Sequence, residues 1–176
     1  QMAGDELNEA IAREIHRRLV DLHGFDKAFS EMPAIDREKL IEQCEIAKCR
    51  LSEKEEESIV LMEYGGAVVN EKLTRRQMGD VIRPHVRRAL ELLAKVIADS
   101  KLTREEIGKV LIVGGSSRLL DVRNGIEQMF AGSTDKILKP KDAEWNVAKG
   151  AGRLDYRKGE YFSAEDIGII LGDENS

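Results

Sequence analysis

The stretch that decides the fold lies at residues 110–118 and reads VLIVGGSSR. Its four apolar residues form a continuous run, which predicts a short strand covered on both faces. The two glycines permit positive φ and let a ligand approach the main chain, and a helix placed directly after them directs its free N–H groups at the turn. Ser116 and Ser117 add hydroxyls, and Arg118 adds a planar cation. The turn is therefore a candidate site, although a Gly-Gly turn taken alone is more often only structural.

Four elements are predicted upstream of this stretch. Apolar residues at helical spacing predict a helix from Asp5 to about Leu22, which Gly24 ends. A second helix, Arg37–Leu51, is predicted to begin after a cap by Asp36. The residues expected on its inner side are Leu40, Ile41, Cys44 and Ala47.

The next two elements are a hairpin and a long helix. Residues 58–62 and 67–69 are short apolar runs separated by a Gly-Gly pair, as in a β-hairpin. Thr74 is predicted to open a helix that runs to about Ser100, and Pro84 inside it should kink the helix or mark a joint.

Downstream of the stretch the chain returns to helices. Thr103 and Glu106 form a capping-box pattern, which predicts a short helix from Arg104. A helix through Val122, Ile126 and Phe130 should follow the glycine turn, and another is expected from about Asp142 to Leu154. Residues 156–166 are charged and rich in turn formers, as in a linker, and 167–171 predict one more short strand. The order of elements predicts an α/β protein with a helix-and-hairpin lobe before a strand–turn–helix unit.

Composition excludes several classes of function. The 176 residues are 41% hydrophobic and 35% charged, as in a globular protein. Lys and Arg total 28 against 33 Asp and Glu, a net charge of −5, so nucleic acid is not an expected partner. No apolar run is long enough to span a bilayer, no signal peptide is visible, and no membrane partner is expected. Cys44 and Cys49 form no zinc or redox spacing, which favours free thiols in a reducing compartment, the cytoplasm.

A second candidate site lies on the second predicted helix. Glu45, Lys48 and Ser52 are spaced by three and seven residues from the first, so all three lie on one helix face. A carboxylate can accept hydrogen bonds from ribose hydroxyls, an ammonium can reach ribose or phosphate oxygens, and a serine can bond an adenine ring nitrogen. Taken alone, this pattern is more simply an exposed charged stripe with an ordinary ion pair.

Together, the two candidates carry a family resemblance. Residues 44–52 read CEIAKCRLS and resemble the adenosine-binding helix of the DnaK-type, seventy-kilodalton heat-shock chaperones. Residues 110–118 resemble their second adenosine motif, at the right distance downstream. Residues 144–151, EWNVAKGA, look like the family's closing helix, and 3–7, AGDEL, like the segment that opens its second lobe.

The resemblance implies an actin-like ATPase fold, of which this chain would be the second lobe. That lobe would consist of a helix-and-hairpin subdomain at about 5–102 and the strand–turn–helix part of the second ribonuclease-H-like subdomain at about 103–155. Residues 156–176 would be a linker and the beginning of a following domain. Because the chain begins with Gln1 rather than methionine, we expect an excised fragment.

The resemblance also assigns roles to individual residues. Glu45 and Lys48 would contact the ribose of ATP or ADP, and Ser52 the adenine edge. Gly4 would lie near the phosphates. The remaining contacts would come from the turn, where Gly114 and Gly115 lie against the nucleotide, Ser116 is near the base and Arg118 packs beside it. Glu144 stands where the family usually has aspartate.

Four departures from the family pattern bear on activity. Cys49 replaces an arginine that helps to sandwich the adenine, which should weaken nucleotide binding by about 1 kcal/mol. Ala3 replaces a glycine, Leu120 replaces a proline, and the linker lacks the family's run of aspartate and leucines. The last departure bears on whether ATP binding is relayed to a following substrate domain.

The function expected from these residues is nucleotide binding without catalysis. The resemblance places the phosphate hairpins, the catalytic lysine and the aspartates that hold Mg²⁺ upstream of Gln1, so the fragment alone should be inactive and its parent a slow ATPase. It implies a nucleotide exchange factor, a co-chaperone and client polypeptides as partners, the clients through a downstream domain. One alternative is a non-catalytic interaction module of the same fold. Another is a sugar or acetate kinase, against which the Glu-x-x-Lys-x-x-x-Ser helix argues.

Overall fold

The computed structural model describes residues 4–141 and 143–156 as nine regular elements joined by short turns. The helices of this part of the chain are α1 (Gly4–His23), α2 (Ala34–Leu51), α3 (Arg75–Asp99), α4 (Leu120–Met129) and α5 (Asn146–Tyr156). Its strands are β1 (Glu56–Tyr64), β2 (Ala67–Thr74), β3 (Val110–Leu111) and β4 (Ile137–Leu138). Of the predicted linker at 156–166, Tyr156 is the last residue of α5, and the remainder lies outside the described residues, as does the predicted strand at 167–171.

The first helix is placed by its apolar stripe, as the sequence predicts. Leu7, Ile11, Ile15 and Leu19 recur every four residues and are all fully buried. Gly24 ends the helix with φ at +65°, a left-handed conformation that glycine adopts without a steric penalty. The same face packs against α2, the hairpin and α3, which together form the larger of two cores.

The second helix begins three residues earlier than predicted. It starts at Ala34, after Pro33, so Asp36 lies in the first turn and does not cap it. The Asp36 carboxylate instead accepts a hydrogen bond from the Gly65 N–H in the hairpin turn, at 3.2 Å. This contact joins residues 29 positions apart, which local sequence patterns do not reveal. Of the four residues expected on the inner side, Leu40, Cys44 and Ala47 are buried and Ile41 is half-buried.

The predicted hairpin is confirmed, with strands longer than expected. β1 and β2 pair antiparallel from Glu56↔Thr74 to Leu61↔Val69, and the register shifts before Tyr64↔Ala67. Gly65 and Gly66 both have positive φ in the connecting turn. One face of the hairpin packs on α1 and α2, so these strands help to position α2 in the fold.

The third helix is also confirmed and is not divided by a joint at Pro84, while the alternative, a kink there, stays a prediction. The Thr74 hydroxyl accepts from the Gln77 N–H and the Gln77 side chain accepts from the Thr74 N–H, a complete capping box. The helix then continues past Pro84 to Asp99. Pro84 lies on the exposed side, where water can satisfy the carbonyl that loses its helical partner.

Two predictions for residues 103–113 are wrong. Thr103 and Glu106 exchange the hydrogen bonds of a capping box, but only a turn forms, because Gly108 follows directly and β3 begins at Val110. The strand comprises Val110–Leu111 alone, parallel to β4, and it is not covered on both faces. Leu111 and Val113 are exposed, since the described residues supply this sheet with only one partner strand and one packed face.

The smaller core lies under this parallel pair. It contains Ile112, Phe130 and Ile137, with Ile97 of α3 and Ile126 of α4 packed beside them. The predicted final helix appears as a 3₁₀ turn, Ala143–Trp145, followed by α5. Because α4 contacts both cores, the glycine turn before it is held against the helix-and-hairpin part of the chain.

Candidate functional site

A cleft of about 420 Å³ lies between the end of α2, the start of α1 and the turn after β3. This volume is within the range of small-molecule sites in proteins. The lining residues come from both predicted motifs, which lie more than 50 positions apart in the sequence. They are Gly4, Glu45, Lys48, Cys49, Ser52, Gly115, Ser116, Arg118 and Leu119.

The α2 side of the cleft is formed by its polar stripe. Lys48 is only 8% exposed, and its ammonium donates to the Gly4 carbonyl oxygen at 3.4 Å, so the start of α1 limits its position. Glu45 is exposed beside it. The Ser52 hydroxyl donates to the Cys49 carbonyl oxygen at 2.6 Å. A carboxylate, an ammonium and a hydroxyl therefore stand in order along one helix face.

The opposite side is a 3₁₀ turn, Gly115–Arg118, that hydrogen bonds hold in place. Gly114 before it has φ at +86°, a backbone conformation that side chains rarely adopt. Its N–H donates to the Ala143 carbonyl oxygen at 3.0 Å, and its own carbonyl accepts from the Ser117 N–H and hydroxyl. The Arg123 side chain donates to the Ser117 carbonyl oxygen at 2.8 Å. The turn is thus fixed independently of any ligand.

The structure brings seven of the nine candidate residues around the cleft. Gly114 does not line it and acts through the turn geometry, and the side chain of Glu144 lies outside the described part of the structure. Cys49 and Leu119 also line the cleft. The family resemblance had placed Cys49 at the adenine, whereas no sequence signal indicated Leu119.

The two cysteines differ in environment. Cys44 is buried, and burial raises the pKa of its thiol to about 12, so it stays protonated at neutral pH. Cys49 is a free and exposed thiol at the edge of the cleft. Modification reagents should therefore distinguish the two residues.

Three other features of the described residues were considered as functional sites: a second groove, metal-binding groups and membrane-spanning helices. A groove of about 540 Å³ between α3 and α4 contains none of the nine candidates. No group of three or more His, Cys, Asp or Glu side chains within 4–141 and 143–156 could hold a metal ion. None of the helices formed by these residues has the length and apolar character needed to cross a bilayer.

The cleft presents groups that suit a nucleoside. Glu45 and Lys48 can accept from and donate to vicinal hydroxyls, and Ser52 can bond a heterocyclic nitrogen when its hydroxyl turns away from the Cys49 carbonyl oxygen. Arg118 offers a flat cation and Leu119 an apolar surface for a ring.

Comparisons with known proteins point to one family. Residues 1–154 match the family described as Hsp70 protein. A chaperone protein HscA homolog from Acidithiobacillus ferrooxidans is 31% identical over 150 residues, which cover 85% of this chain and 22% of that protein. Heat shock protein hsp-6 of Caenorhabditis elegans is 31% identical over 155 residues, or 85% of this chain and 23% of that protein. The chain spans less than a quarter of the length of these relatives.

Proposed function

The chain belongs to the Hsp70 family, and we propose that it holds the adenosine end of ATP or ADP in a chaperone-like ATPase. One observation carries the proposal: the two motifs that are unconvincing separately line the same cleft. If the first motif were only a charged stripe and the second only a tight turn, neither would require that the two line one cavity of nucleoside size.

The proposed contacts follow the geometry of the cleft. Glu45 and Lys48 would bind the ribose hydroxyls, and Ser52 an adenine ring nitrogen. Ser116 and Arg118 would bind the base from the other side, while Gly115 leaves room for close approach of the ligand. The phosphates would extend toward Gly4. The roles of Gly114 and Glu144 at the nucleotide remain predictions.

The catalytic parts of the ATPase are proposed to lie outside this chain. Hsp70 proteins share the actin-like ATPase fold, and we propose that these residues are its second lobe, with the subdomain bounds given above. Mg²⁺ would be bound mainly by the other lobe, and hydrolysis would require both. The helix-and-hairpin subdomain would contact a nucleotide exchange factor, and a downstream domain would bind client polypeptides. With both thiols free, we propose a cytoplasmic location.

Cys49 favours one alternative, a non-catalytic interaction module. Its thiol lines the cleft where the family resemblance places a guanidinium that stacks on adenine. A protein that had lost useful nucleotide affinity could keep the same fold. The intact Glu45, Lys48 and Ser52 in the same cleft argue against it.

Chemical labelling of the two cysteines tests the proposal at the cleft itself. In the complete protein, iodoacetamide at pH 8 should modify Cys49 and leave Cys44 intact, because the raised pKa of Cys44 keeps it a neutral thiol. Saturating ADP with Mg²⁺ should slow labelling of Cys49 about tenfold by covering it. Peptide mapping by mass spectrometry measures both sites. Equal labelling of Cys49 with and without ADP would count against an adenosine site here.

Restoring the family's arginine should strengthen binding. Cys49→Arg places a guanidinium beside the proposed adenine position, and stacking should tighten ADP binding about fivefold, or about 1 kcal/mol. Isothermal titration calorimetry of the complete protein measures the change. Arg50→Cys, at an exposed neighbour that does not line the cleft, is the control and should leave the affinity unchanged. Weaker binding by Cys49→Arg would show that the site does not accept a stacked base there.

A further inference from the structure

We propose that Arg75 is a positioning residue, which holds the turn that carries Ser52 and so sets nucleotide affinity without touching the ligand. The inference rests on the proposed function. It concerns a residue of α3 that does not line the cleft and that neither sequence motif contains.

Arg75 fixes both ends of the turn at 52–55, which connects α2 to β1. Before the turn, its Nε donates to the Leu51 carbonyl oxygen at 2.7 Å. After the turn, its backbone N–H donates to the Glu55 carbonyl oxygen at 2.8 Å, and its guanidinium pairs with the Glu55 carboxylate. Arg75 thereby bridges the two ends of the turn, in addition to the backbone bonds that Glu53 and Lys54 donate to the Arg50 carbonyl oxygen.

The bond to Leu51 is the important one of the three. Carbonyls in the last turn of a helix have no partner within the helix and need one from outside. The Arg75 side chain is only 22% exposed, so water competes poorly for this contact. The Glu55 carboxylate is 83% exposed, and an ion pair of that kind contributes little.

Ser52 depends on this external contact for its place in the cleft. Its N–H and its hydroxyl both bond to the Cys49 carbonyl oxygen, which orients Ser52 relative to α2 only. Arg75 joins this end of α2 to α3 through a part-buried contact, whereas Arg50 and Lys54 join it to Glu57 of β1 through exposed side chains, which contribute less. Leu51 is fully buried in the larger core and stays in place, so without Arg75 it is Ser52 and the turn after it that can move away from the opposite side of the cleft.

A double-mutant cycle tests this dependence in the complete protein. ADP affinity is measured for the unaltered protein, Arg75→Gln, Ser52→Ala and the double variant. Each single change should weaken binding about three- to tenfold, because each removes the same hydrogen bond to the base. The double variant should be no weaker than Ser52→Ala within about twofold, since the two residues act through one contact.

Hydrogen exchange gives a readout that does not depend on nucleotide. In Arg75→Gln the amides of residues 52–54 in the turn should exchange about tenfold faster, with those of α2 unchanged. Lys72→Gln removes one positive charge nearby, in an exposed pair with Glu56, and should change neither measurement. If Arg75→Gln does not fold, Arg75→Lys keeps the charge without the two-ended geometry and serves in the same cycle.

The outcomes separate this inference from the proposed function. Additive losses in the double variant, or unchanged exchange at 52–54, would overturn the role of Arg75 while ADP binding by the unaltered protein stands. No ADP binding by the unaltered protein would remove both proposals together.

Discussion

Replacement of Lys48 by alanine should lower the ADP affinity of the complete protein about 10- to 100-fold. Lys48 is nearly buried in the cleft, where one of the three donors of its ammonium is directed at the Gly4 carbonyl oxygen, at 3.4 Å. It can therefore give its remaining donors to a ribose. Hydrogen bonds from a charged donor in a partly dry site are worth about 1.5–3 kcal/mol, which sets the range. Displacement of a fluorescent ADP analogue measures the loss.

Lys39→Ala is the matched control for this prediction. Lys39 is an exposed lysine on the same helix, outside the cleft, so its removal tests the loss of a positive charge without the loss of the site. Its ADP affinity should stay within about twofold of the original, since a distant surface charge is screened by salt. Equal losses for Lys39→Ala and Lys48→Ala would mean that the effect is only general electrostatics.

The largest loss of stability should come from the α1 stripe that holds α2. Leu19 is 0% exposed in the larger core, and Leu19→Ala should lower the free energy of local unfolding by about 2–5 kcal/mol through lost burial and the cavity that remains. Native-state hydrogen exchange of the slowest α1 and α2 amides measures this loss in the complete protein. Since α2 carries Lys48, nucleotide binding should weaken at temperatures where this core opens.

Leu22 on the same helix provides the comparison. It is 64% exposed, so Leu22→Ala should change the free energy of unfolding by less than about 0.5 kcal/mol. A large loss at Leu22 together with a small one at Leu19 would mean that α1 presents a different face to the core.

The regular parts of the fold could be predicted from local sequence because local physics determines them. The α1 stripe, the Gly24 stop, the Gly65–Gly66 hairpin turn and the Thr74 cap each depend on a few neighbouring residues. Where a distant contact decides the outcome, local reasoning failed. Asp36 resembles a cap in sequence, but its carboxylate accepts from Gly65 across the fold.

The stretch after α3 shows the second kind of failure. The Thr103–Glu106 pattern forms the expected hydrogen bonds, yet only a turn forms at 104–106 and not the helix that it predicts. The apolar run at 110–113 predicts a strand covered on both sides, whereas Leu111 and Val113 are exposed in the described structure. A pattern can indicate which residues suit a buried strand, but it does not supply the elements that cover it.

The candidate site could be predicted only as two separate motifs. Helical periodicity placed Glu45, Lys48 and Ser52 on one face, and the glycines indicated a turn open to a ligand. That these two features form one cleft depends on the packing of α4 against α3, which no local signal contains. The role of Arg75 could not be predicted for the same reason, because its partners Leu51 and Glu55 are 24 and 20 residues away in the sequence.

The central claim, one adenosine-binding cleft formed by both motifs, is tested most directly by calorimetric titration of ADP with Mg²⁺ into the complete protein. Unaltered protein should bind ADP saturably at one site per chain, and inosine diphosphate more weakly, because Ser52 and the turn would bond the adenine ring. Absence of saturable binding at ADP concentrations on the order of millimolar, the level at which binding energy falls to about 4 kcal/mol, would contradict the account.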